Sequence, residues 1–132
     1  MDRLEEDGTN GGHFFLYNVI RSACGSPFFV DKFKRAAKKH MSKDKSLKLC
    51  ILEIGCGDRV PTMRSLGEDF LAQLWGCGLA FSDLEQKDPR AVLVRVNPDP
   101  KLAGIVRNSV RHLEPLLISL QTSAKEALCS LK

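Results

Sequence analysis

The chain has 132 residues, of which 43% are hydrophobic and 27% charged, with a formal net charge of +4. That fits one compact domain with little room for a second. It holds no apolar run near the roughly 20 residues that cross a bilayer, and the acidic opening Met1–Asp7 is unlike a secretory signal, so an intracellular setting, cytoplasmic or nuclear, is expected without membrane contact.

Cys24, Cys50, Cys56, Cys77 and Cys129 lie scattered, with no Cys-x-x-Cys pair, which argues against a disulfide framework and against zinc.

Residues 1–12 end in Gly8-Thr9-Asn10-Gly11-Gly12 and carry too little apolar surface to pack, so a mobile tail is expected ahead of one α/β domain over 13–132. His13–Ile20 is short and rich in aromatic and β-branched residues, the composition of a strand. Ser26-Pro27 is an N-cap followed by a first-turn proline, and the helix it starts runs to about His40 with Val30, Phe33 and Ala37 on one face. Lys32, Lys34, Arg35, Lys38, Lys39, Lys43, Lys45 and Lys48 concentrate the basic charge there. Without interleaved aromatics for stacking, this reads as a solvated helix face rather than a nucleic-acid surface.

Lys48–Ile54 is the apolar run of a strand buried on both faces. A Gly55-Cys56-Gly57 turn follows, and then Met63, Leu66, Phe70, Leu71 and Leu74 at helical spacing up to Trp75. The polar Phe81–Arg90 is a loop, and Ala91–Val96 a strand that Pro98 and Pro100 end. Leu102, Ile105 and Val106 suggest a short helix. Leu116–Leu120 is a further strand, and Thr122 or Ser123 caps a last helix with Ala124, Ala127, Leu128 and Leu131 in one stripe.

This alternation predicts an α/β fold: about four parallel strands between helices, in three Rossmann-like layers. In such sheets ligands bind beyond the carboxyl ends of the strands, here Gly55–Thr62, Asn97–Pro100 and Gln121–Ala124. A strand, a glycine turn and a helix N-terminus together favour an anionic group, so a nucleotide-type ligand is the first expectation.

Two resemblances bear on which nucleotide. Leu52-Glu53-Ile54-Gly55-Cys56-Gly57 looks like the first motif of S-adenosylmethionine-dependent methyltransferases, although the acidic residue that family carries after the next strand is replaced by Asn97-Pro98. The longer resemblance is to the C-terminal part of the NAD-binding domain of sirtuins, in their divergent bacterial and protist branch. It rests on Glu53-Ile54-Gly55-Cys56-Gly57, Val60-Pro61-Thr62-Met63-Arg64, Leu93-Val94-Arg95-Val96-Asn97-Pro98 and the closing Leu117–Leu128.

That resemblance implies NAD as cofactor. It implies Gly55, Cys56, Gly57 and Thr62 around the phosphates. Asp58 beside that loop repels a phosphate unless Arg59 or Arg64 offsets it. Asn97 would lie on the adenosine ribose, with Ser123 and Ala124 near adenine. Each position also has a plain structural use: Gly55 and Gly57 can make the turn, Asn97 can close a strand end, and Ser123 can cap a helix.

The family's opening Gly-Ala-Gly loop, its catalytic histidine and its zinc cysteines have no counterpart here. The resemblance therefore implies only the adenosine-binding half of a protein deacylase, inactive by itself or completed by a partner chain or by self-association. A methyltransferase-like domain and a non-catalytic interaction module remain the alternatives.

Overall fold

The computed structural model describes residues 13–17, 27–57 and 62–130. The expected tail over 1–12, the cap Ser26, Cys24, Asp58, Val60-Pro61 and Leu131 lie outside them. In chain order the elements are β1 (His13–Tyr17), α1 (Pro27–Lys43), β2 (Lys48–Ile54), α2 (Thr62–Gly76), β3 (Ala91–Val96), 3-10 segments over Pro100–Leu102 and Asn108–Leu116, β4 (Leu117–Leu120) and α3 (Ala124–Cys129). All four strands run parallel, in the spatial order β1-β2-β3-β4.

Alternation along the strands sorts the side chains between two faces. On one face Leu49, Ile51, Ala91 and Leu93 are buried and meet Met41 of α1, Phe70, Leu71 and Leu74 of α2, and Leu113 and Leu116 of the second 3-10 segment. Phe33 and Phe70 pack edge to face at 6.1 Å, so α1 lies against α2. At Gly67, α2 comes close to the sheet: an added Cβ would stand 3.2 Å from Leu93 Cδ1.

On the other face Cys50, Leu52, Val92 and Val94 are half-buried, and Ile54, Ile118 and Leu120 are exposed at 37%, 47% and 40%. No residue of α3 is buried. A strand order that never reverses sends successive same-handed crossovers to one side, the side on which α1, α2 and the second 3-10 segment pack.

The ends of α1 and the 100–116 stretch also differ from expectation. α1 continues to Lys43 rather than about His40, because Arg90 caps its C-terminus. Arg90 Nη2 donates to Met41 O at 2.7 Å and Asp44 O at 2.8 Å, and its Nε to Leu47 O at 3.2 Å.

The helix expected around Leu102–Val106 is a single 3-10 turn starting earlier. Asp99 caps it by accepting from Lys101 N, with Pro100 in its first turn. The last strand begins at Leu117 because Leu116 closes the second 3-10 segment, 1% exposed in the core.

Candidate functional site

The carboxyl ends of three neighbouring strands are stitched together by hydrogen bonds centred on Asn97. Its main-chain N–H donates to Leu120 O at 3.0 Å, at the end of β4. Its Nδ2 donates to Cys56 O at 3.0 Å, in the glycine loop after β2, and its Oδ1 accepts from Asp99 N at 3.0 Å. Gly55 N donates to Val96 O at 2.9 Å, and Thr122 N to Leu120 O at 2.9 Å. Gly55–Gly57, Asn97 and the approach to α3 therefore share one edge.

Gly55 has φ +66°, a left-handed turn conformation that favours glycine. A Cβ added at Gly55 or Gly57 would meet no described atom within 4 Å. Thr62 is the first residue of α2, whose first turn holds no carboxylate, so the positive end of that helix is not offset from within.

Ser123 caps α3. Its Oγ accepts from Glu126 N at 3.2 Å, while Glu126 Oε2 accepts from Ser123 N at 3.0 Å and Thr122 Oγ1 at 2.7 Å. Those contacts pull the Glu126 carboxyl down to about 2, the Thr122 and Ser123 hydroxyls first among them. Ala124 opens α3 and is half-buried.

Beneath this edge lies a buried charge cluster. Arg95, 1% exposed, donates from Nε to Glu53 Oε1 at 2.7 Å and from Nη2 to Glu53 Oε2 at 2.9 Å and Glu68 Oε1 at 3.1 Å, and from Nη1 to Gly104 O. Glu68, fully buried on α2, also accepts from the main-chain N–H of Val106 at 2.8 Å and of Arg107 at 3.3 Å. Burial is the largest single influence on Arg95 and acts against its charge. The hydrogen bonds and charges of Glu53 and Glu68 outweigh it, and its pKa is raised.

Arg64 belongs to this cluster and not to the open edge. It is 6% exposed, its Nη2 donates to Leu102 O at 2.8 Å and Gly104 O at 3.3 Å, and its Nε stands 3.8 Å from Glu53 Oε1. Arg107 pairs with Asp69 and lies 3.9 Å from Glu68.

The structure thus brings Gly55, Cys56, Gly57, Asn97, Ser123 and Ala124 to one edge, with the N-terminus of α2 at Thr62, and turns Arg64 inward. Sequence reasoning gave no role to the Glu53–Arg95–Glu68 cluster. Its signal was a carboxylate and a guanidinium in otherwise apolar strands, where a charge persists only when paired.

Cys56 is half-buried, and burial, followed by the Glu53 charge, pushes its thiol up, so it stands protonated rather than as a nucleophilic thiolate. The His112 and Trp75 rings pack edge to face at 5.4 Å, near the C-terminal end of α2. Among the described residues no three His, Cys, Asp or Glu side chains gather as metal ligands, and no helix is long and apolar enough to cross a membrane. A shallow depression lined by Trp75, Phe81, Asp83 and Leu84 lies where α2 ends, at the opposite edge of the sheet.

No family model, curated protein or solved structure matches the chain.

Proposed function

We propose that the carboxyl edge of the sheet binds the adenosine-phosphate part of NAD, as the adenosine-binding half of a sirtuin-like, Rossmann-type domain. The observation that carries this reading is the double bridge made by Asn97, which ties the loop after β2 to the ends of β3 and β4. On this reading a mononucleotide at that edge touches all three segments.

With the Asn97 amide and the Ser123 hydroxyl already engaged, recognition falls chiefly on the backbone. On this reading the phosphates take hydrogen bonds from the N–H groups of Cys56 and Gly57 and from the first turn of α2, and the small glycines let the backbone come close. Asn97 then acts by holding the loop in shape, and its remaining donor and acceptor capacity serves the ribose.

Cleaving NAD needs a general base on the nicotinamide ribose and a pocket for the acyl-lysine, roles to which no described side chain at this edge is suited. The reading is therefore of a nucleotide-binding half that acts with a partner chain or a second copy and does not deacylate proteins alone.

Titration calorimetry of the full chain with NAD, ADP-ribose and S-adenosylmethionine tests this. The expected result is saturable binding of NAD and ADP-ribose with similar affinity, weakened at least several-fold in Asn97→Ala, and none of S-adenosylmethionine. Binding of S-adenosylmethionine alone replaces this reading with the methyltransferase one. Absence of all three at millimolar ligand removes the nucleotide site.

A further inference from the structure

The positive charge of the chain is gathered on one element and its following turn. Residues 27–48 hold eight Lys and Arg against two Asp, a surplus of six, whereas the whole chain nets +4, so the remainder is negative by two. The structure divides seven of those eight cations by what they touch; the eighth, Lys45, is exposed in the turn after α1.

Three are committed to the fold. Lys34 is 8% exposed and lies over the Phe70 ring at 5.8 Å, Lys38 Nζ donates to Gln73 Oε1 at 3.1 Å, and Lys48 pairs with Asp88 at 3.0 Å. Lys32, Arg35, Lys39 and Lys43 are exposed, and no described carboxylate stands within 4.0 Å of any of them.

These four recur at intervals of three, four and four residues, which places them in one row along α1. The row lies opposite the side of the helix that buries Met41 and packs Phe33 and Ala37 on the core. At about 1.5 Å of rise per residue, successive cations stand roughly 4.5 to 6 Å apart along a line of roughly 16 Å. Like charges at these spacings repel and weaken a helix, so the row is a cost to the fold that an external polyanion would remove.

We propose that the outward face of α1, with Lys32, Arg35, Lys39 and Lys43 in one row, binds the phosphate backbone of double-stranded nucleic acid without reading its sequence. A duplex carries one negative charge per about 1.7 Å of its axis, so a straight row of this length neutralises several phosphates together and releases their counterions.

Other polyanions fit less well. A helix lying on a membrane surface needs an apolar face free to insert beside its cations, and Phe33, Ala37 and Met41 of α1 are packed on the core. A single strand calls for aromatic rings on which bases stack, and the described outward residues of α1 include none.

Fluorescence anisotropy with a labelled DNA duplex about two helical turns long tests the proposal, with an RNA duplex of the same length as a second arm. The expected result is binding at low salt whose log affinity falls against log salt with a slope of about −3 to −4, near 0.9 per phosphate contacted. Affinity should be the same for unrelated DNA sequences. The variant Lys32→Gln/Arg35→Gln/Lys39→Gln/Lys43→Gln should lose at least tenfold in affinity with an unchanged circular dichroism spectrum, and Lys34→Gln should bind as the parent does.

Absence of binding at low salt, an unaffected quadruple variant, or tighter binding to phosphatidylserine vesicles than to either duplex would overturn the proposal. The row and the carboxyl edge share no residue, so failure of NAD binding leaves this result standing, and the reverse.

Discussion

Arg95 and Glu53 occupy matched positions on adjacent parallel strands and are joined by two side-by-side hydrogen bonds, Nε to Oε1 at 2.7 Å and Nη2 to Oε2 at 2.9 Å. The pair sits on the helix-covered face, where Glu68 of α2 and the carbonyl of Gly104 complete the shell around the guanidinium. Taking two such charges out of water is expensive, and the fork geometry with further hydrogen bonds offsets that cost.

Removing Arg95 alone leaves two buried carboxylates, Glu53 and Glu68, facing each other without their shared cation. Arg95→Met should therefore lower the unfolding free energy by about 3–5 kcal/mol, measured by urea denaturation. Glu53→Gln keeps the shape and one acceptor, and should cost less. Faster hydrogen exchange at Val106 and Arg107 should accompany Arg95→Met, since Glu68, which accepts from both, loses its position.

The guanidinium of Arg90 gathers three carbonyls at the end of α1, those of Met41, Asp44 and Leu47. An ammonium is a point donor and cannot span all three in the same plane. Arg90→Lys should thus destabilise by about 1–3 kcal/mol, the range for leaving buried acceptors unsatisfied. A thermal melt reads the loss, and hydrogen exchange should report fraying that starts at the C-terminal turn of α1.

Glu126 titrates at about 2 instead of 4.5 because the Thr122 and Ser123 hydroxyls and the Ser123 N–H bond its charged form. A carboxyl depressed in the folded state favours folding above its unfolded pKa, and that support is lost as pH falls through the folded value. The cap of α3 should hold from neutral pH down through the ordinary glutamate range and open only as pH approaches about 2. NMR titration of Glu126 checks this. Ser123→Ala together with Thr122→Val should return its pKa toward 4.5.

The strands and longer helices were legible because each carries its own periodic signal. Lys48–Ile54 and Ala91–Val96 have the bounds their apolar runs suggest, and α2 spans the repeat from Met63 to Leu74. The stretch from Pro100 to Leu116 was not legible in the same way. Its turns are short 3-10 pieces set by Asp99, Pro100 and contacts to two distant guanidiniums, Arg64, 38 residues before Leu102, and Arg95, 9 residues before Gly104.

At the edge, the glycine turn and Ser123 as a cap could be read locally. That Asn97 reaches back 41 residues to Cys56 could not. The same holds for Arg64, whose place in the sequence suited the ligand but whose guanidinium is held by Leu102 and Gly104.

What the sequence determined by itself was the alternation of strand and helix, and with it the parallel sheet and the edge where its loops gather, because hydrophobic period and turn chemistry act over a few neighbouring residues. The tertiary structure alone decided the unreversed strand order, and which charges pair inside and which line up outside. Those depend on residues tens of positions apart meeting in space, where burial makes an unpaired charge costly and exposure leaves it available.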